Sequence, residues 1–285
     1  MLNWDALKIL GQSMTLIRLS QQQLNVLASC PRKFQHLYLD NLSSPTTYEE
    51  QERLNWGSRF HLLIQQRELG LPIEPLVKKD PEMEECLKSF IETATEIFPK
   101  SKNPETFRQA EHTRSLNFQG YILTVIYDLL IGDRQQALIL DWKTYRRPRD
   151  KSYLAKNWQT RLYPFVMVET SHYLPEQVSM TYWFVRPAEK HLPENLKFSY
   201  NQHRHEKTRQ DLSQILSQLT HWLQRYQQDG ELFPQIDAST GQCHSCQFAI
   251  RCDRDLESSP PVAESDDREL TEGWLSLDAI QEVSI

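Results

Sequence analysis

The stretch from Tyr121 to Thr144, YILTVIYDLLIGDRQQALILDWKT, constrains the fold more than any other part of the chain. Two apolar runs, Tyr121 to Ile131 and Ala137 to Leu140, flank a polar Gly-Asp-Arg-Gln-Gln break. Short β-rich runs around a Gly/Asp break predict a β-hairpin. Each run meets an acid where a buried strand disfavours one: Asp128 within the first, Asp141 at the end of the second. Lys143 follows Asp141 by two residues and so shares its strand face. Two carboxylates and an amine on one sheet face can hold a divalent cation and a water beside an anionic substrate. An Asp–Lys salt bridge at a strand end accounts for the same three residues equally well. The remaining sequence has to decide.

With 285 residues, 39% of them apolar and 25% charged, the chain has material for a sizeable core. The opening MLNWDALKIL lacks a basic start followed by a long apolar run, and no run approaches a membrane span, so neither a signal peptide nor a membrane anchor is expected. A reducing, cytoplasmic setting follows as the expectation. The net charge of −6 is uneven: ten acids against Arg254 and Arg268 give residues 253–285 a charge of −8, leaving +2 for residues 1–252. A body that mildly basic is weak support for a polyanionic partner.

Taken in order, Met14 to Leu19 reads as a strand, and Ser20 as the N-cap of a helix running to about Leu39. Cys30-Pro31 breaks that helix, because proline removes a donor and disfavours the helical region for the residue before it. Glu49 to Leu69 is a second helix, with Gly57 and His61 one turn apart. An internal helical glycine costs roughly 1 kcal/mol against alanine and usually marks a close approach. Pro81 to Phe98 is a third helix, and Thr106 to Ser115 a strand preceding the hairpin. A basic loop, Arg146 to Lys156, leads to a helix over Trp158 to Thr170 carrying Gln159 and Tyr163. Strands over Val178 to Val185 and Leu196 to Tyr200, then a helix over Glu206 to Asp229, complete the body. The domain reading is an arm over 1–19, one domain over 20–255 and an acidic, flexible tail over 256–285, where Trp274 and Leu277 offer an apolar handle.

Cys243-x2-Cys246-x5-Cys252 is a tight triplet whose opening C-x2-C pair points to metal. An all-thiolate site needs a fourth cysteine. Cys30, at a broken helix, suits it better than Cys86, which lies on an apolar stripe. Zinc and an iron–sulfur cluster both accept four thiolates, and His244 could replace one at zinc; spacing alone does not choose.

The hairpin and the cysteines together resemble the PD-(D/E)xK nucleases of the RecB type that carry an iron–sulfur cluster, a group that includes AddAB-type nuclease domains and CRISPR-associated adaptation exonucleases. The resemblance covers roughly residues 20–255. Cys30-Pro-Arg-Lys-Phe34 is similar to the opening segment with its lone cysteine, Gly57-x3-His61 to the histidine helix, and Asp128 to the first metal acid. Asp141-Trp-Lys143-Thr144 matches the D-x-K-T strand, Gln159-x3-Tyr163 the Q-x3-Y helix, and the cysteine triplet the terminal one. Each motif is common by itself; their joint order is specific. Val125 departs from the pattern, since the family usually has glycine three residues before the first acid.

The resemblance implies an α/β, restriction-endonuclease-like fold: a central mixed sheet flanked by helices, its N- and C-terminal segments clasped by a four-cysteine cluster. It implies a 4Fe–4S cluster on Cys30, Cys243, Cys246 and Cys252, and Mg²⁺ or Mn²⁺ on His61, Asp128 and Asp141. Asp128, Asp141, Lys143, Gln159 and Tyr163 become the catalytic set, with Tyr163 available to stack on a base. Glu111 either supports this site or forms a cross-strand ion pair. The implied activity is hydrolysis of DNA, as an exonuclease preferring single strands, in repair, recombination or CRISPR-type processing. The sequence has no phosphate-binding loop of a motor, so a separate helicase or repair partner is expected to supply unwound strands. Two other classes compete: a non-catalytic nucleic-acid- or partner-binding module of the same fold, and a zinc-clasped structural protein.

Overall fold

The apolar hairpin forms the middle of a six-stranded mixed sheet in a computed structural model, which describes residues 17–43, 45–95, 97, 106–145, 147–148, 150–185 and 192–254. Strands β3 (Tyr121–Gly132) and β4 (Ala137–Lys143) run antiparallel, and Asp133 closes their turn by accepting the backbone N–H groups of Gln135 and Gln136. β2 (Phe107–Phe118) lies antiparallel along the whole of β3 and ends three residues later than the sequence reading. Its turn is Gln119-Gly120, with φ of 51° and 81°, the left-handed pair that suits a two-residue hairpin. Because β2 fills one edge of β3, β1 (Ile17–Leu19) and β4 share the other. β1 pairs in parallel with Tyr121–Leu123, and β4 pairs with Leu129–Gly132. The edge between these two pairings belongs to neither, and it ends at Asp128. β5 (Val178–Phe184) continues the sheet parallel to β4, and β6 (Glu194–Ser199) is antiparallel to β5. β5 is buried along its length, as a strand covered by helices on both faces should be.

Helices cover both faces. One core joins the sheet to α1 (Gln21–Ser29), α7 (Trp158–Glu169) and α8 (Gln202–Asp229), with Leu154 of the short α6 (Lys151–Lys156) at its margin. The other joins it to α3 (Tyr48–Glu68), the single turn α4 (Glu74–Val77) and α5 (Pro81–Thr93). The α8 stripe of Leu212, Leu216, Leu219 and Leu223 belongs to the first core, each such side chain contributing roughly 1.5–3 kcal/mol on full burial.

Local signals set most boundaries. Ser20 caps α1 in a reciprocal arrangement with Gln23, and Thr47 caps α3 in the same way with Glu50. Cys30 ends α1 and opens α2 (Pro31–Phe34), which passes into a π-helical turn over Gln35–Leu39. The helix is broken where Cys30-Pro31 predicts. Gly57 marks a close approach: a Cβ there would sit 3.0 Å from Thr144 Oγ1, so α3 lies directly against the end of β4. Among the described residues no helix is long and apolar enough to cross a membrane. Met14 to Leu16, Arg146, Arg149 and the acidic tail lie outside the described residues.

Candidate active site

β3 and β4 part at one step. Leu129 pairs with Leu140, but Asp128 and Asp141, the next positions, do not pair. Instead the Asp128 carboxylate accepts the backbone N–H of Trp142 at 2.6 Å, satisfying the donor that the opened ladder leaves free. The face alternation of β3 also slips here. Val125 and Tyr127 lie in the first core and so does Leu130, whereas Leu129 and Ile131 lie in the second. A regular strand would put Tyr127 and Leu129 on one face.

Side chains from both layers enter this gap. From α3, the His61 Nε2–H donates to the Trp142 carbonyl at 3.1 Å, and Nδ1 lies 3.4 Å from Asp128 Oδ1. The carbonyl bond fixes the proton on Nε2 and leaves Nδ1 facing the carboxylate. From the α7 side, Asp141 Oδ1 accepts from Lys143 Nζ and from Gln159 Nε2, both at 3.0 Å, and Oδ2 lies 2.7 Å from Lys143 Nζ. Asp141 is 3% exposed and Lys143 8%. The Lys143 ammonium also lies 5.5 Å from the centre of the Tyr182 ring. The structure thus brings His61, Asp128, Asp141, Lys143 and Gln159 together, and the Asp–Lys ion pair is part of the same arrangement rather than its alternative.

Burial pushes the Asp141 carboxyl up to about 7, with Lys143 pulling down and Asp128 pushing further up. Burial lowers His61, but the charge and hydrogen bond of Asp128 and the charge of Asp141 outweigh it and raise the imidazole to about 9. Both groups therefore hold protons more tightly folded than unfolded. Stability from Asp141 is present below about pH 4 and lost as pH rises through about 7; that from His61 is present below about 6.5 and lost through about 9. In chelator, the stability of the wild type relative to Asp141→Asn should accordingly fall between pH 4 and 7, as measured by urea unfolding. A difference that rises over that window would contradict this electrostatic reading.

One expectation needs revision in detail. Tyr163 is 1% exposed, packed edge-on against Tyr127 with its carbonyl accepting the Tyr127 hydroxyl, so it offers no stacking surface to a base. Val125, where the family usually has glycine, is a core residue at 0% exposure. The basic loop is partly committed within the protein: Arg147 pairs with Glu194, and Lys151 donates to the Lys197 carbonyl. Of the two roles open to Glu111, the structure favours support of this site, and Tyr145 was not anticipated. Glu111, on β2, has a carboxylate oxygen that lies with His61 and Asp128 donor atoms, all within 4.8 Å of one another. Tyr145 has a buried hydroxyl with no hydrogen-bond partner among the described residues, and burial, then the charge of Asp141, holds its pKa well above the usual phenol range.

Cys30, Cys243, Cys246 and Cys252 are half-buried free thiols. The Cys252 thiol is pushed up by burial, held back by Arg32, and pushed further by Cys246, Cys30 and Cys243. Their segments are joined by Arg32, whose N–H groups donate to the Phe233 and Pro234 carbonyls, and by Gln35, which accepts from the Phe233 N–H. His36, which the spacing did not flag, lies 3.9 Å from Cys252 Sγ through Nε2 and pairs with Asp40 through Nδ1. Cys86 is apart, in the second core, its thiol pushed up to about 12 by burial and then by Glu82.

The model of the PD-(D/E)XK nuclease superfamily matches residues 18–253, and the chain belongs to that superfamily. No curated protein matches the sequence. Among solved structures, one described as "Putative exonuclease" from Eubacterium rectale is 12% identical, with a TM-score of 0.49 over 92% of this chain and 94% of that one. The protein SSO0001 is also 12% identical, with a TM-score of 0.36 over 87% of this chain and 90% of its own. The mixed sheet flanked by helices is the architecture of an α/β nuclease of this superfamily.

Proposed function

We propose that the protein is a divalent-metal-dependent deoxyribonuclease that degrades single-stranded DNA from an end. The observation that carries this reading is the parted step between β3 and β4, where His61, Asp128, Asp141, Lys143 and Gln159 converge on one gap. An imidazole nitrogen and two carboxylates suit Mg²⁺ or Mn²⁺, with the nitrogen favouring Mn²⁺. A metal held there would lower the pKa of a water and neutralise charge on the scissile phosphate. His61 presents Nδ1 and Asp128 presents Oδ1 to it, and Asp141 adds the second charge. Lys143 and Gln159 hold Asp141 in place, and Lys143 stands ready to stabilise negative charge as it develops on the phosphate. Tyr145 keeps a buried hydroxyl within reach of the Asp141 charge. A separate helicase or repair partner would supply the single strands.

We further propose a 4Fe–4S cluster on Cys30, Cys243, Cys246 and Cys252. The charges of Cys30, Cys243 and Cys246 all act on Cys252, and among the described residues no three of these thiols lie within 4.8 Å of one another. A single tetrahedral zinc, with bonds of about 2.3 Å, needs sulfurs about 3.8 Å apart. The wider spacing suits a cluster.

The test is protein purified without oxygen and assayed on end-labelled single- and double-stranded DNA with Mn²⁺ or Mg²⁺. Single strands should shorten progressively, double strands more slowly, and EDTA should stop both. DNA retained in a gel but uncut under every divalent metal would make the protein a binding module instead.

A further inference from the structure

Glu111 is an odd residue for its place. It sits mid-strand in β2, where an extended backbone is the rule, yet its φ is +50°. That left-handed conformation is disfavoured for a residue with a Cβ, and glycine or asparagine tolerates it far better. The distortion falls at one position only. Ala110 pairs with Leu129 and His112 with Tyr127, and the step between them, Glu111 opposite Asp128, is unbridged. The β2–β3 ladder thus opens at Asp128 as well, opposite the place where β4 leaves β3. The consequence is that a third carboxylate is brought beside Asp128 and His61, within 4.8 Å of both.

An ion pair by itself does not call for such a backbone. Glu68 reaches Arg108, and Glu194 reaches Arg147, with neither acid at positive φ. A left-handed backbone at a residue with a Cβ is unfavourable by itself. Such strain persists where something else gains from it. Ligand bonds of about 2.1–2.2 Å around one cation place donor atoms roughly 3 Å apart when adjacent and about 4.3 Å when opposite. His61, Glu111 and Asp128 meet that limit together. Asp141, with its carboxylate bound by Lys143 and Gln159, is outside the set.

We infer that Glu111 is an additional protein ligand of the divalent cation, beside His61 and Asp128, and that its left-handed backbone is the device that delivers it. This rests on the metal-site reading above. It adds a ligand from β2, an element that reading did not use, and assigns a role to the strain.

The experiment measures Mn²⁺ binding directly, by the electron-spin resonance signal of free Mn²⁺ during titration of chelator-treated protein, without reference to cleavage. Glu111→Gln keeps the size and the strain but loses the charge; it should weaken Mn²⁺ binding by about tenfold or more. Glu111→Asn should weaken binding similarly. It should also melt at a higher temperature than Glu111→Gln in the metal-free state, because asparagine tolerates the left-handed backbone. His61→Ala serves as the reference for a lost ligand. Wild-type Mn²⁺ affinity in Glu111→Gln, alongside loss in His61→Ala, would overturn the assignment while leaving the metal site standing. Wild-type protein that binds no Mn²⁺ would overturn the metal site and Glu111 with it. An Asn variant that melts no higher than the Gln variant would refute the role given to strain.

Discussion

Lys143→Ala should slow DNA cleavage by about a hundred- to a thousandfold, the loss typical when one preorganised donor is taken from a site where negative charge develops. Two effects add up. The ammonium proposed to stabilise charge on the phosphate is gone, and Asp141 loses the partner 2.7–3.0 Å away that holds its carboxyl down. That carboxyl is already pushed up to about 7 by burial and by Asp128, so without Lys143 it should rise further and be protonated at neutral pH. The residual activity of the variant should therefore climb to higher pH than that of the wild type, which a simple loss of folded protein would not produce. Removing one partner of a buried ion pair also costs about 3–5 kcal/mol, so unfolding must be measured alongside. Lys143→Met, which keeps most of the stem packed near Tyr182, separates charge from packing. Asp141→Asn with Lys143→Ala should recover part of the lost stability and none of the activity. Single-turnover assays decide the matter: if Lys143→Met and Lys143→Ala, both shown folded, cut at the wild-type rate, the catalytic role is wrong.

The elements around this lysine were legible because their signals are local. The hairpin reads from apolar runs and a Gly-Asp turn, and the break at Cys30 from proline chemistry. Gly57 reads as a close approach because a helix has no other use for it, although only the fold shows that its neighbour is Thr144. Non-local or compensated features were not legible. α8 begins at Gln202, four residues before the start at Glu206 read from the sequence and ten before its apolar stripe opens at Leu212, because Asn201 caps it and buried His205 and Thr208 continue the inward face with polar side chains. Hydrophobic periodicity cannot see that. The slip at Asp128 exchanges the faces of β3 without changing its composition, so alternation counted along the sequence places Leu129 on the wrong side. Tyr163 shares a helix with Gln159 but is turned into the core, and spacing of i and i+4 gives no warning of how wide the buried arc of a helix is. α7 is buried over most of its circumference, Pro164 included. Glu111 shows the sharpest gap, for a strained backbone leaves no trace in residue type when the residue is not glycine.

Cys30→Ser should release the iron and destabilise the fold, and it should do so at a distance from the chemistry. Tying residue 30 to residue 243 closes a loop of about 210 residues, for which chain entropy alone gives a stabilisation of about 5 kcal/mol as an upper value. The full amount should not be lost. The Arg32 bonds to Phe233 and Pro234, and the Arg254 bond to the Ile236 carbonyl, hold the same segments without any cluster. Activity should nevertheless fall, because Cys30 terminates α1, and α1 holds the start of α7. Asn25 accepts the Trp158 N–H and donates to Asn157, and Asn157 in turn caps the N–H of Gln159. Gln159 is the residue that grips Asp141. Loosening the clasp should therefore reach the carboxylate through α1 and the first turn of α7. Asn25→Ala should reproduce part of the activity loss with the iron content unchanged. Iron and acid-labile sulfide in the purified protein, thermal melting and cleavage rate together read out the whole sequence of effects. One zinc per chain with no sulfide would sink the cluster. Full activity in Cys30→Ser with iron lost would show that the clasp and the active site are independent.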